Sequence, residues 1–207
     1  MFKEAAIKLI LIRHGETPWN HQRRIQGGSS DTVLSPLGKR QIKSLGLALK
    51  EEKLSAIYSS PLKRAIETAK TIAKYHDNLK VLIEPELREL EVGELEGVPI
   101  TKLGTDFSNF LIQWREGEGT EKLPGGESLA DLQSRAWAIV QHIVAEHQGN
   151  VVLVSHYFVI LTIISAALGL PPSGIRRFRV SVGSISVLDF KNGIPCLASL
   201  GDTCHLK

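Results

Sequence analysis

Ile7-Lys8-Leu9-Ile10-Leu11-Ile12-Arg13-His14-Gly15-Glu16 is the stretch that decides the fold. Its first six residues are nearly all apolar, as in a strand buried on both faces of a parallel sheet. The run then breaks abruptly into charge, imidazole and glycine. Further along the chain the same pattern recurs: a short apolar run, an abrupt polar end, then a helical pattern. Ser35-Pro36 pairs an N-cap residue with proline at the first helical position, and Ile42, Leu45, Ala48 and Leu49 follow at helical spacing. Ala56-Ile57-Tyr58-Ser59 is a second strand, with Ser60-Pro61 as another cap-plus-proline start ahead of the stripe Leu62, Ala65, Ile66, Ala69, Ile72 and Ala73. Val81-Leu82-Ile83 is a third, short strand. A helix is expected from about Ser128 to His147, a strand at Val151-Val154, and a helix from Phe158 to Leu168 ending at Gly169. Phe178 to Val182, Ser184 to Phe190 and Cys196 to Leu200 read as strands, with a hairpin turn at Asn192-Gly193. Strands alternating with helices predict an α/β fold with a mostly parallel sheet. The glycine-rich segment from Gly93 to Gly126, with a modest helical stretch near Phe107 to Trp114, reads as a lid insertion.

At 207 residues and 22.8 kDa, the chain 1–207 is expected to form one domain with a single well-buried core. The charge is nearly balanced, with 25 basic against 22 acidic residues, so charge offers no argument for a nucleic-acid or membrane surface. The apolar stretch Tyr157 to Leu170 is too short to span a bilayer, and the N-terminus lacks a signal-peptide pattern. Cys196 and Cys204 have no ligand or redox spacing and read as free thiols in a reducing, cytoplasmic setting.

In open α/β sheets, ligands bind beyond the carboxyl ends of the strands. Three expected strands end there in polar residues whose chemistry is complementary. One end is Arg13-His14-Gly15, the second is Ser59-Ser60 leading to Arg64 in a helix's first turn, and the third is Ser155-His156. Guanidiniums and the free amides of the Pro61 helix suit a tetrahedral oxyanion, and a neutral imidazole is a nucleophile that needs no second base. Such a pocket favours the charge that develops during phosphoryl transfer. A leaving oxygen also needs a proton donor. Glu84, Glu86, Glu89, Glu91, Glu94 and Glu96 crowd the loop after the third strand, and spacing does not choose among them. His21, His76, His142, His147 and His205 read as structural.

Leu11-Ile12-Arg13-His14-Gly15-Glu16-Thr17 resembles the signature of the histidine phosphatase superfamily, the phosphoglycerate-mutase-like group. The resemblance continues through Asn20, Arg24-Ile25-Gln26-Gly27, Leu34-Ser35-Pro36-Leu37-Gly38 and Ser59-Ser60-Pro61-Leu62-Lys63-Arg64. It extends to Leu87-Arg88-Glu89-Leu90, Gly93-Glu94-Leu95-Glu96-Gly97, Pro124-Gly125-Gly126-Glu127-Ser128 and Val154-Ser155-His156. The resemblance implies a three-layer sandwich with helices on both faces of the sheet, and hydrolysis of a small-molecule phosphate ester without metal or cofactor. It implies His14 as the phosphorylated nucleophile, with Arg13, Arg64 and His156 on the phosphoryl oxygens and Glu89 as proton donor. Asn20, Gln26, Gly27 and Tyr157 would line the substrate side. Many relatives carry glycine after the second histidine, where this chain has Tyr157-Phe158, a change that reshapes or narrows the pocket. The acidic run Glu91-Val92-Gly93-Glu94-Leu95-Glu96 stands where mutases carry cations, which favours a phosphatase over a phosphoglycerate mutase. A phosphoprotein-binding module without turnover is the non-enzymatic alternative. The end, Phe178-Arg179-Val180 through Leu206, resembles the α-ribazole-5′-phosphate phosphatases of cobalamin assembly and broad-specificity relatives. Oligomeric state stays open, a homodimer included.

Overall fold

The computed structural model describes residues 6–104 and 117–207. Its strands are β1 (Ala6–Arg13), β2 (Leu54–Ser59), β3 (Val81–Ile83), β4 (Gly149–Ser155), β5 (Ile185–Lys191) and β6 (Ile194–Asp202). They form one sheet in the order β3-β2-β4-β1-β5-β6. The pairs β3/β2, β2/β4 and β4/β1 are parallel, as expected; β1/β5 and β5/β6 are antiparallel. The hairpin turn falls at Asn192-Gly193, both at positive φ (52° and 77°), the geometry that a tight two-residue turn demands.

The described helices are α1 (Pro18–His21), α2 (Pro36–Leu49), α3 (Lys63–Ala73), α4 (Leu129–Glu146) and α5 (Tyr157–Ala167). Side chains of a strand alternate between faces, and this splits the core in two. Leu9, Leu11, Val151 and Leu153 pack with Leu132, Ala136 and Val140 of α4 and Val159 and Ile163 of α5. Ile10, Ile12, Val152 and Val154 pack on the opposite face with Leu45 of α2 and Ala65, Ala69 and Ile72 of α3. Helices therefore cover both faces, and the three-layer α/β sandwich holds.

Ser35 caps α2 by accepting from the Gly38 N–H. Ser128 caps α4 in a reciprocal box with Asp131. Two local expectations are corrected. The helix expected to start at Ser60-Pro61 begins at Lys63, because Ser60 Oγ turns inward to His156 and the Lys63 N–H is taken by Asp31 Oδ1 at 2.7 Å. Phe178 to Val182 is a loop and not a strand: the Val180 carbonyl accepts from Arg13 Nη1 at 2.9 Å, not from a neighbouring strand. Within the expected lid, Gly93–Leu95 and Ile100–Lys102 form single 3₁₀ turns. Its Phe107, Phe110, Trp114 and helical stretch lie outside the described residues. Among the described residues, no helix is long and apolar enough to cross a membrane.

Candidate active site

Register brings the three strand ends together. Arg13 stands opposite Ser155, and Ser59 opposite Val154. The backbone ladder runs one residue further on each side: the His14 N–H donates to the Ser155 carbonyl at 3.1 Å, and the Ser60 N–H to the Val154 carbonyl at 3.0 Å. His14, Ser60 and His156 are thereby fixed at one edge of the sheet. The rings of His14 and His156 lie 5.1 Å apart.

His14 is buried, and its Nδ1 lies 2.7 Å from the Gly15 carbonyl. A carbonyl only accepts, so Nδ1 carries the proton and Nε2 keeps its lone pair. Burial, then the charges of Arg64 and Arg13, hold the His14 pKa well below the ordinary histidine value, despite the opposing Gly15 hydrogen bond. Burial and the Arg64 charge hold His156 well below it too.

Arg64 is fully buried and tied on three nitrogens. Nη1 donates to the Ser30 carbonyl (2.6 Å), Nη2 to the Gly27 carbonyl (3.0 Å) and Nε to His156 Nδ1 (3.3 Å). Because Arg64 can only donate, His156 Nδ1 accepts, and the proton on His156 sits at Nε2, which donates to Ser60 Oγ at 2.7 Å. Burial brings the Arg64 pKa down to about 10, so it stays cationic at neutral pH. Five N–H bonds less three leaves two guanidinium N–H groups for an anion.

Glu89 is buried as well. Its Oε1 accepts from the Leu90 N–H (2.9 Å) and its Oε2 from the Phe158 N–H (3.2 Å). Burial raises its pKa above the ordinary carboxyl value, against those two hydrogen bonds and the nearby Arg64 and Arg13 charges. Arg13 passes its guanidinium carbon 5.0 Å from the centre of the Tyr157 ring. The bulky residue after the second histidine thus forms a wall against which Arg13 lies.

Arg13, His14, Glu89 and Tyr157 share the wall of a cavity of about 830 Å³, with Asn20 and Gln26 on the same wall. Arg64 and His156 stand behind His14 and do not border it. Asn20 Oδ1 accepts from the Thr17 backbone N–H at 3.0 Å and Gln26 Oε1 from the buried Thr17 hydroxyl at 2.9 Å, so each is held by the protein. Gly27 does not border the cavity: a Cβ there would meet Val92 Cγ2 at 2.5 Å and the Leu90 carbonyl at 2.7 Å. It serves close packing and offers its carbonyl to Arg64. The helix amides expected to cradle an anion are used internally in part, since Asp31 occupies the first of them.

Sequence reasoning missed several groups. Ser60 accepts from His156 Nε2, a role that its place before Pro61 disguised as a helix cap. Arg23, Arg24 and Arg179 also border the cavity, so cations absent from the Glu91–Glu96 run reach it from elsewhere. Arg23 and Arg24 were visible beside Gln26. Arg179 carried no local signal, because its loop reads as a strand. The rest of the wall is apolar and includes Ile25, Leu90, Leu95, Ile100, Leu103 and Leu123. Among the described residues, no group of three or more His, Cys, Asp or Glu side chains is set to hold a metal ion.

A neutral imidazole pair, a buried and a half-buried arginine, and a carboxyl raised in pKa, all at the carboxyl edge of the parallel strands, define an enzyme of the phosphoryl-transfer class. The chain belongs to the histidine phosphatase superfamily (branch 1), whose family model matches residues 9–203. It is 37% identical over 207 residues to the protein named Probable phosphoglycerate mutase GpmB of Yersinia enterocolitica, covering 97% of this chain and 95% of that one. It shares 31% identity and a TM-score of 0.85 with the Entamoeba histolytica phosphoserine phosphatase solved with 3-phosphoglyceric acid, over 97% of this chain and 100% of that one. A provisionally assigned alpha-ribazole-5′-P phosphatase from Escherichia coli aligns at 27% identity and a TM-score of 0.84, over 95% of this chain and 96% of that one.

Proposed function

We propose that this chain hydrolyses small phosphomonoesters through a phosphohistidine on His14. One observation carries the reading: His14 is buried and neutral, its Nδ1 is on the Gly15 carbonyl, and it shares a cavity wall with Arg13 and Glu89. In the first half-reaction the Nε2 lone pair attacks phosphorus, the P–O bond to the leaving group breaks, and protonated Glu89 gives its proton to the departing oxygen. In the second, the Glu89 carboxylate takes a proton from water, the resulting hydroxide attacks phosphorus, and the P–N bond returns its electrons to His14. Arg13 at the cavity wall, and the buried positive charge of Arg64 beyond it, stabilise the charge spread over the equatorial oxygens. His156 orients Arg64 through Nδ1 and is itself held by Ser60 Oγ at Nε2. Asn20, Gln26 and Tyr157 face the substrate, whereas Gly27 acts through packing.

His14→Ala is expected to abolish both phosphate release and the acid-labile, alkali-stable phosphoenzyme trapped on quenching. Full turnover in that variant removes the mechanism. The segment 93–126 acts as a lid over the leaving group in this reading, on a single domain. The free, exposed Cys196 and Cys204 support a reducing, cytoplasmic setting.

A second reading, a phosphoglycerate mutase, draws on the Yersinia relative and on Arg23, Arg24 and Arg179 at the cavity wall. Both Arg24 and Arg179 already bind backbone carbonyls, of Gly97 and of Arg176 and Phe178. Such partly committed cations suit a polar or carboxylate end of a substrate better than a phosphate retained between half-reactions. Supplying 3-phosphoglycerate with a bisphosphoglycerate primer separates the readings: hydrolysis liberates phosphate, while a mutase makes 2-phosphoglycerate. α-Ribazole-5′-phosphate belongs in the same panel, because the Escherichia coli neighbour and the apolar wall both suit a ring-bearing leaving group.

A further inference from the structure

The loop that carries Glu89 follows a strand of only three residues at the edge of the sheet. Little ladder bonding steadies it, yet the proton donor needs a fixed position. Part of the loop is anchored toward the core, where Ser155 Oγ donates to the Leu87 carbonyl (2.8 Å) and the Gly28 N–H to the Leu90 carbonyl (2.9 Å). The Glu86 and Glu89 carbonyls and the Glu91 N–H meet one pair of side chains outside the cavity wall.

Arg135, on the second turn of α4, donates from Nη1 to the Glu86 carbonyl (2.6 Å) and from Nη2 to the carbonyl of Glu89 itself (3.3 Å). Its Nε and Nη2 also grip Glu127 in a two-pronged ion pair, at 2.7 and 3.0 Å. Glu127 in turn brackets Glu91: its Oε2 accepts the Glu91 N–H (3.2 Å) and its own N–H donates to the Glu91 carbonyl (2.8 Å). The side chains of Arg135 and Glu127 are only 20% and 14% exposed, so the fork is shielded from solvent and resists the loosening that makes surface pairs weak. Neither borders the catalytic cavity.

We infer that Arg135 and Glu127 form a brace that positions the Glu89 carboxyl for proton transfer by clamping the backbone on either side of it. The inference rests on Glu89 being the proton donor. The brace touches no substrate and, apart from the charge that Arg135 places near His156, acts through Glu89, and that gives it a signature. The parameter kcat/KM covers steps up to departure of the leaving group, and donation matters there in proportion to how poor that group is. Leu87 and Leu90 keep their own anchors, so the loop remains docked when Arg135 is removed.

The test compares an alkyl phosphate, which needs a donated proton, with 2,4-dinitrophenyl phosphate, which hardly does. Arg135→Ala is expected to lower kcat/KM for the alkyl ester at least about tenfold more than for the dinitrophenyl ester, within the range general acids contribute. In the Glu89→Gln background the same substitution is expected to lower alkyl-ester kcat/KM by no more than about twofold, since a residue acting through Glu89 has nothing left to position. Equal losses for both esters, or a full-sized loss in the Glu89→Gln background, overturn the brace. If Arg135→Ala does not fold, Glu127→Gln carries the test, with the same split expected and its absence equally decisive. Failure of the phosphatase reading looks different: the unmodified enzyme then hydrolyses neither ester, and the brace falls with it.

Discussion

His14 and Glu89 are both displaced from their ordinary ionisation by the same burial, in opposite senses. A buried base resists protonation, and a buried acid resists losing its proton. Phosphoryl transfer to His14 needs the imidazole neutral and the carboxyl protonated. Activity therefore rises with pH as His14 loses its proton and falls as Glu89 loses its own. The rising limb is expected well below 6.5, and the falling limb above the ordinary carboxyl value of 4.5. Glu89→Gln is expected to remove the falling limb that belongs to the carboxyl, leaving only the substrate's own ionisation. A pH profile of kcat/KM for an aryl phosphate, on both forms of the enzyme, checks this. An unchanged falling limb assigns the proton to another group.

Among the elements, α2 packs directly on the loop that follows the nucleophile. Gly38 in its first turn abuts the backbone of Glu16, and a Cβ there would lie 2.1 Å from the Glu16 carbonyl oxygen. Gly15 meets the same helix, with a Cβ placed 2.8 Å from the Gly38 carbonyl. Neither neighbour is a side chain that can swing away. Gly38→Ala is expected to destabilise the fold by about 1–3 kcal/mol, as overpacking does, and to lower kcat by pushing the 14–17 loop out of line. Urea unfolding and phosphate-release assays on the variant read both effects. Features of this scale were legible where the cause is local. Apolar runs marked the parallel strands, Ser35 and Ser128 announced their helices, and three strand ends pointed to His14, Arg64 and His156. What escaped depends on partners distant along the chain. Asp31 claims the first amide of α3, Arg13 claims the Val180 carbonyl and so unmakes a strand, and Arg64 turns Gly27 into a backbone acceptor. The proton donor was open among six glutamates until the family resemblance implied Glu89, because burial, which raises its pKa, is set by the whole loop.

For the whole molecule, two imidazoles held neutral in the core couple folding to pH. Both native pKa values are depressed, so below about 6.5 the unfolded chain binds protons that the native state refuses, and stability falls on acidification. Each histidine contributes a slope of at most about 1.4 kcal/mol per pH unit. Glu89 acts the other way: its native pKa is raised, so its contribution is present at low pH and lost as pH climbs past the ordinary carboxyl value. Two imidazoles against one carboxyl leave a net loss between pH 6.5 and 5.5. The urea midpoint is expected to drop across that interval. A midpoint that stays level or rises on acidification contradicts the neutral pair. The central place of β1 has a different outcome, felt during synthesis. Ile7 lies opposite Gly149 and Phe190, so β1 finds neither neighbour until synthesis has passed residue 149. Its apolar run must wait exposed through that interval, and contacts so far apart along the chain close slowly. A chain cut short before Gly149 is therefore expected to leave this run open to hydrophobic dyes.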